Sequence, residues 1–147
     1  VARRRAERLT GRSKRADAVR ACIQRFRGKA YAPGKRDDVL MAAHLLHHLG
    51  ISVPVLKGCE WKCEASGLRL LKRKGFGSLH EAVDTLGLER IGWGSARLGD
   101  LIALPSTCGV GALAVHTGNG TMLAYREGRD EAGIIRISDA LFAWRTT

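Results

Sequence analysis

Residues 31–50 read YAPGKRDDVLMAAHLLHHLG, and no other stretch constrains the fold as tightly. Pro33 and Gly34 set a turn, because proline fixes φ and glycine admits left-handed backbone, and two acids follow. Asp37 has the side chain of a good N-cap, able to accept from the unpaired N–H groups of a first helical turn. The helix it opens runs to His48 and stops at Gly50, with Val39, Leu40, Ala43, Leu46 and His47 expected to turn inward. A helix this apolar belongs at the centre of its fold.

The flanking sequence changes character along the chain. Residues 13–27 place Ala18, Val19, Cys22, Ile23 and Phe26 at helical spacing, with Ser13 as cap and Gly28 as stop. Two shorter helical patterns follow near 64–74 and 78–86, the second opening with Ser78 and Glu81 as a capping box. From Leu88 onward, runs of alternating residues separated by glycines predict strands near 99–104, 110–116, 121–126 and 133–137. The GNG at 118–120 suits a hairpin better than a phosphate loop. A last short helix is expected over 138–145, packing Leu141, Phe142 and Trp144. Helices followed by strands predict an α+β fold, with helices on one face of a small antiparallel sheet of about four strands.

Of the 147 residues, the first 36 hold 13 of the 25 Lys and Arg against only Glu7 and Asp17. The other residues carry 12 basic and 12 acidic side chains, so the basicity belongs to one end. The expected organisation is a basic arm over 1–12 and a single domain over 13–147. Such an arm binds an anionic surface, through Arg3, Arg4, Arg5, Arg8, Arg12, Lys14 and Arg15, or else remains a solvated tail. No apolar run approaches the roughly 20 residues that cross a bilayer, and the N-terminus is basic without the apolar stretch of a secretory signal, so a cytoplasmic origin and no membrane partner are expected.

Cys59 and Cys63 form a C-x₃-C pair downstream of His44, His47 and His48. Zinc needs four converging ligands, and these histidines do not share one helix face. The expectation is no metal and no cofactor, with Cys22, Cys59, Cys63 and Cys108 as free thiols.

Several pieces together carry a family likeness. They are the aromatic-x-Pro-Gly-x-x-Asp turn at Tyr31–Asp37, the helical GLRLLKRKGFGSLHEAVDTLGL at 67–88, Gly99–Asp100 at the start of a strand, GALAVHTGNGTMLAY at 111–125 and the C-terminal acid-x₄-Trp-Arg. Over roughly residues 13–146 the chain resembles the papain-like NlpC-type cell-wall cysteine peptidases, and more closely their branch in tailed bacteriophages and prophages. Phage relatives usually carry Trp where Pro33 stands.

In that family a thiol at a helix N-terminus, its pKa lowered by the helix dipole, pairs with a histidine on the facing sheet. By the resemblance, the nucleophile position holds Asp38 and the histidine position holds Ala112. Both catalytic positions are thus degenerate, and His116 lies about 13 Å along the strand from Ala112. The resemblance implies a non-catalytic virion component at the tail or head–tail junction, bound to other virion proteins in a symmetric assembly. Its arm would dock on an acidic neighbour or on DNA, and the chain would be made in the host bacterial cytoplasm. Two alternatives stay open: a cell-wall hydrolase with a displaced catalytic site, and a nucleic-acid-binding protein. Trp61, Trp93 and Tyr125 are expected as core or interface anchors, or as the lining of the former cleft.

Overall fold

The computed structural model describes the backbone of residues 2–147 and the side chains from Lys14 onward. Four α-helices, α1 (Ala2–Phe26), α2 (Asp38–His48), α3 (Glu64–Arg73) and α4 (Leu79–Asp84), precede six strands in the described residues. The strands are β1 (Glu89–Ile91), β2 (Leu101–Leu104), β3 (Ala112–Gly118), β4 (Thr121–Ala124), β5 (Gly133–Arg136) and β6 (Phe142–Arg145). They form one antiparallel sheet in the order β1-β6-β2-β3-β4-β5. The α+β class is therefore as expected, with more strands.

Alternation along the central strands divides the core in two. Leu101, Ala103, Leu113, Val115, Leu123 and Trp144 meet α1, α2 and α4 through Val19, Cys22, Phe26, Met41, Leu45 and Val83. Ile102, Leu104, Ala114, Met122 and Ala124 point to the opposite face, as a period of two requires. That second face is closed by the chain between β5 and β6. There Ile137 N–H donates to Gly120 O and Leu141 N–H to Ala103 O, both at 2.9 Å, while Ile137 and Ala140 pack on the sheet.

Three expectations are corrected. The first helix does not start at a Ser13 cap: α1 runs through this position from Ala2, so the backbone of the basic arm continues the helix. In α2 the buried residues are Met41, Ala42, Leu45 and Leu46, whereas His47 is exposed. Val39, Leu40 and Ala43 are only half-buried, because the flank bearing Val39 and Ala43 borders a cavity.

Residues 138–145 contain β6 where a helix was expected. Asp139 takes a left-handed turn at φ 58°, and β6 then inserts between β1 and β2. A helix here would leave the backbone groups on that edge of β2 unpaired. As a strand, the segment also puts Phe142 and Trp144 on one face, ring centroids 4.9 Å apart. Strand β1 exists only as the outer partner of β6, which is why the strand count rises to six.

Candidate functional site

The turn before α2 is locked by one buried carboxylate. Asp37 Oδ1 accepts from Leu40 N–H at 2.8 Å, the N-cap bond, while Oδ2 accepts from Gly34 N–H at 2.8 Å and from the Trp61 indole N–H at 2.7 Å. Trp61 closes over the turn so tightly that a Cβ at Gly34, where φ is +81°, would sit 1.8 Å from Trp61 O. Tyr31 Oη donates to Glu64 Oε1 at 3.2 Å and meets the Tyr125 ring edge-on at 5.3 Å. The start of α2 and the start of α3 are thus tied together.

Asp38, one residue on, reaches the sheet. Its Oδ2 accepts from Leu113 N–H on β3 at 2.8 Å. Burial pushes its pKa up to about 6, the Leu113 N–H opposes that rise, and the neighbouring Asp37 charge adds to it. The side chain is a strut between helix and sheet whose charge is poorly solvated.

Between α2, α3 and α4 lies a cavity of about 760 Å³. Asp38, Ala112, Trp61, Tyr31 and Tyr125 border it, along with Cys59 and Cys108. Most of the remaining lining is aliphatic, including Val39, Ala43 and Leu46 of α2 and Leu68 and Leu71 of α3. No residue of α3 is fully buried; its Leu71 packs against the edge of the core, and the helix roofs the cavity. Among the described residues Tyr125 Oη, shielded from water, has no hydrogen-bond partner, and burial raises its pKa, as burial and the Asp38 charge do for Tyr31.

The structure thus brings Asp38 and Ala112 to one cavity, but it is the backbone N–H of Leu113 that meets Asp38. His80 is the imidazole at this end of β3, with Nε2 3.2 Å from Ala112 O and its ring edge-on to Phe142 and Trp144. It explains Gly111, where a Cβ at φ +92° would fall 2.4 Å from His80 Nε2. His116 is buried elsewhere on β3, its Nδ1 accepting from Gly118 N–H at 3.0 Å, and burial lowers its pKa.

The thiols divide by environment. Cys22 is buried against Met41 O and pushed up to about 12 by desolvation. Cys59 is half-buried and Cys108 is exposed beside Ser106 Oγ at 3.2 Å. Cys63 is the N-cap residue of α3. Its exposed thiol has a lowered pKa, chiefly through the Ser66 hydroxyl. The helical pattern from 64 places residue 63 just ahead of α3, but cysteine is not a usual cap, so its side chain did not signal the role. His44 and His48 meet edge-on with ring centroids 4.5 Å apart, and among the described residues no three His, Cys, Asp or Glu side chains gather as a metal-binding group.

Of the expected docking residues, Arg3, Arg4, Arg5, Arg8 and Arg12 lie outside the residues whose side chains are described. Lys14 is exposed. Arg15 corrects the expectation: it turns inward, with Nη2 2.9 Å from Asp100 Oδ1 and 2.6 Å from Leu98 O, and Nη1 2.9 Å from Thr146 Oγ1. Asp100 is nearly inaccessible, and an anion buried there needs this partner. Trp61 and Tyr125 border the cavity, whereas Trp93 is 46% exposed away from it. No described helix is long and apolar enough to cross a membrane.

Two comparisons with known proteins bear on the chain. The model of a family described as a domain of unknown function, DUF6950, matches residues 8–146. No curated protein matches.

Proposed function

The chain belongs to the DUF6950 family, and from its own residues we propose that it is a catalytically inert domain with a papain-like, NlpC-type core, serving as a structural component of a tailed-phage particle. One observation carries the inert reading. At the helix start where a nucleophilic thiol would stand, Asp38 is bound to Leu113 N–H, and Ala112 has no proton-transfer group. A carboxylate held this way is a poor nucleophile for an amide, and the imidazole at this end of β3, His80, lies against Ala112 O.

The structural role is supported by the distribution of charge. A nearly neutral body carries a helix whose N-terminal half is rich in arginine, an arrangement suited to docking on an acidic neighbour or along DNA in a symmetric assembly. Among the described side chains, the buried residues of α1 are Ala18, Val19, Cys22 and Phe26. Removing residues 1–12 should leave the body folded and impair particle assembly. Normal particles built with the truncated chain would overturn the docking role.

A displaced catalytic site has one feature in its favour, the lowered pKa of Cys63 at the start of α3. The hydrogen-bond partner of that thiol is Ser66, not an imidazole, and Cys63 does not border the cavity.

A further inference from the structure

We propose that His44 and His48 of α2 form a two-imidazole chelate for an exchangeable divalent cation of the nickel or copper class, with water completing its coordination. This goes beyond the inert, structural reading and does not depend on it.

The first observation is the spacing of the pair. Residues four apart stand one above the other on a helix, so His44 and His48 project from the same side of α2. Their ring centroids are 4.5 Å apart. A metal–nitrogen bond of about 2.1 Å puts each centroid about 3.2 Å from the ion, so two imidazoles at a right angle stand about 4.5 Å apart. Tetrahedral ligands would stand about 5.2 Å apart, which favours square-planar and octahedral ions over zinc. The rings lie at 66° to each other, and turning about χ2 aims one nitrogen of each at a shared point. His47 is a poorer partner: its ring is 5.7 Å from that of His48, and as the adjacent residue it projects from another side of the helix.

The second observation is that one ligand is held while the other is free to close. His44 is half-buried, its ring edge-on to Phe26 of α1 at 5.8 Å. The Ala21 backbone in α1 hydrogen-bonds one ring N–H of His44, which leaves the second nitrogen with its lone pair, the arrangement usual in a metal-bound histidine. Burial, then the charges of His48, Arg25 and His47, lower the pKa of His44, so at neutral pH a proton does not compete for that nitrogen. His48 is exposed in the last turn of α2.

The third observation concerns the kind of ion. Arg25 repels a cation here, and the only carboxylate of α2 is Asp38 in its first turn, so this end of the helix offers a hard ion such as calcium no carboxylate. Among the described residues no third His, Cys, Asp or Glu joins the pair. Binding therefore rests on imidazole coordination, which suits nickel and copper, and the negative end of the α2 dipole offsets part of the repulsion.

The test uses the full, untagged chain and Ni²⁺. Isothermal titration should show one saturable site per chain, with which excess calcium does not compete. His48→Ala removes an exposed ligand and should weaken Ni²⁺ at least tenfold while circular dichroism stays that of the folded protein. His47→Ala, Cys63→Ser and Cys108→Ser should bind as the wild type does, which separates the pair from its neighbour and from the exposed thiols. Absence of a saturable site overturns the proposal, as does unchanged binding in folded His48→Ala. A loss in His47→Ala equal to that in His48→Ala overturns the assignment to His44 and His48, and competition by calcium overturns the assignment of the ion class.

Discussion

Asp37 and Asp38 are adjacent in sequence and do opposite work. Asp37 accepts three hydrogen bonds and fastens the turn, whereas Asp38 crosses to β3 and keeps a raised pKa of about 6. A carboxyl raised in the folded state binds its proton more tightly there than in the unfolded chain. Its stabilising effect is therefore complete below the unfolded value of 3.8 and is lost as pH climbs to about 6, an effect of roughly 3 kcal/mol. Asp38→Asn keeps an oxygen for Leu113 N–H and has no charge, so its unfolding free energy should be flat where the wild type falls across that window. Denaturant titrations from pH 3.5 to 7 check this, and equal slopes would refute it. The cap role of Asp37 could be read from its side chain and the apolar run after it. The Asp38–Leu113 contact could not, because the two residues are 75 positions apart and the acceptor's partner is a backbone group.

Elements whose signals are local were legible, and those defined by their neighbours were not. The spacing of α2, α3 and α4 and the cap residues of α2 and α4 announce helices, and GNG at 118–120 announces the β3–β4 hairpin. Leu141, Phe142 and Trp144 fit a helix or a strand period over so short a run, and the choice of strand β6 is made by the open edge of β2. Trp144 seals this arrangement, fully buried with its indole N–H donating to Asp84 Oδ1 at 2.9 Å. Trp144→Ala should cost about 3–5 kcal/mol in chemical denaturation. The roof over the cavity depends on a closer approach. In Gly34→Ala the new methyl meets Trp61 O in a left-handed turn, so a loss of about 3 kcal/mol is expected, with a change in tryptophan fluorescence as Trp61 is displaced.

Across the whole molecule, the two ends of the chain are clasped. Arg15 in α1 binds Asp100 ahead of β2 and Thr146 beyond β6, and Thr146 N–H also donates to Asp100 Oδ1 at 3.1 Å. Arg15→Ala leaves a buried anion without its cation and should lower stability by roughly 3 kcal/mol, whereas Lys14→Ala on the exposed side should change it little. The charge count marked Arg15 as one more member of a basic arm, since composition cannot say which cation has a buried acid waiting for it. The same clasp fixes the helix that carries the other arginines to a body in which Asp38 bridges α2 and β3. Inertness of that body is the central claim, and incubation of the purified chain with cell-wall peptidoglycan, followed by mass spectrometry of released peptides, tests it most directly. No release above buffer is predicted. Release that disappears on Cys63→Ser or Cys108→Ser would contradict the account and establish a displaced thiol as the nucleophile.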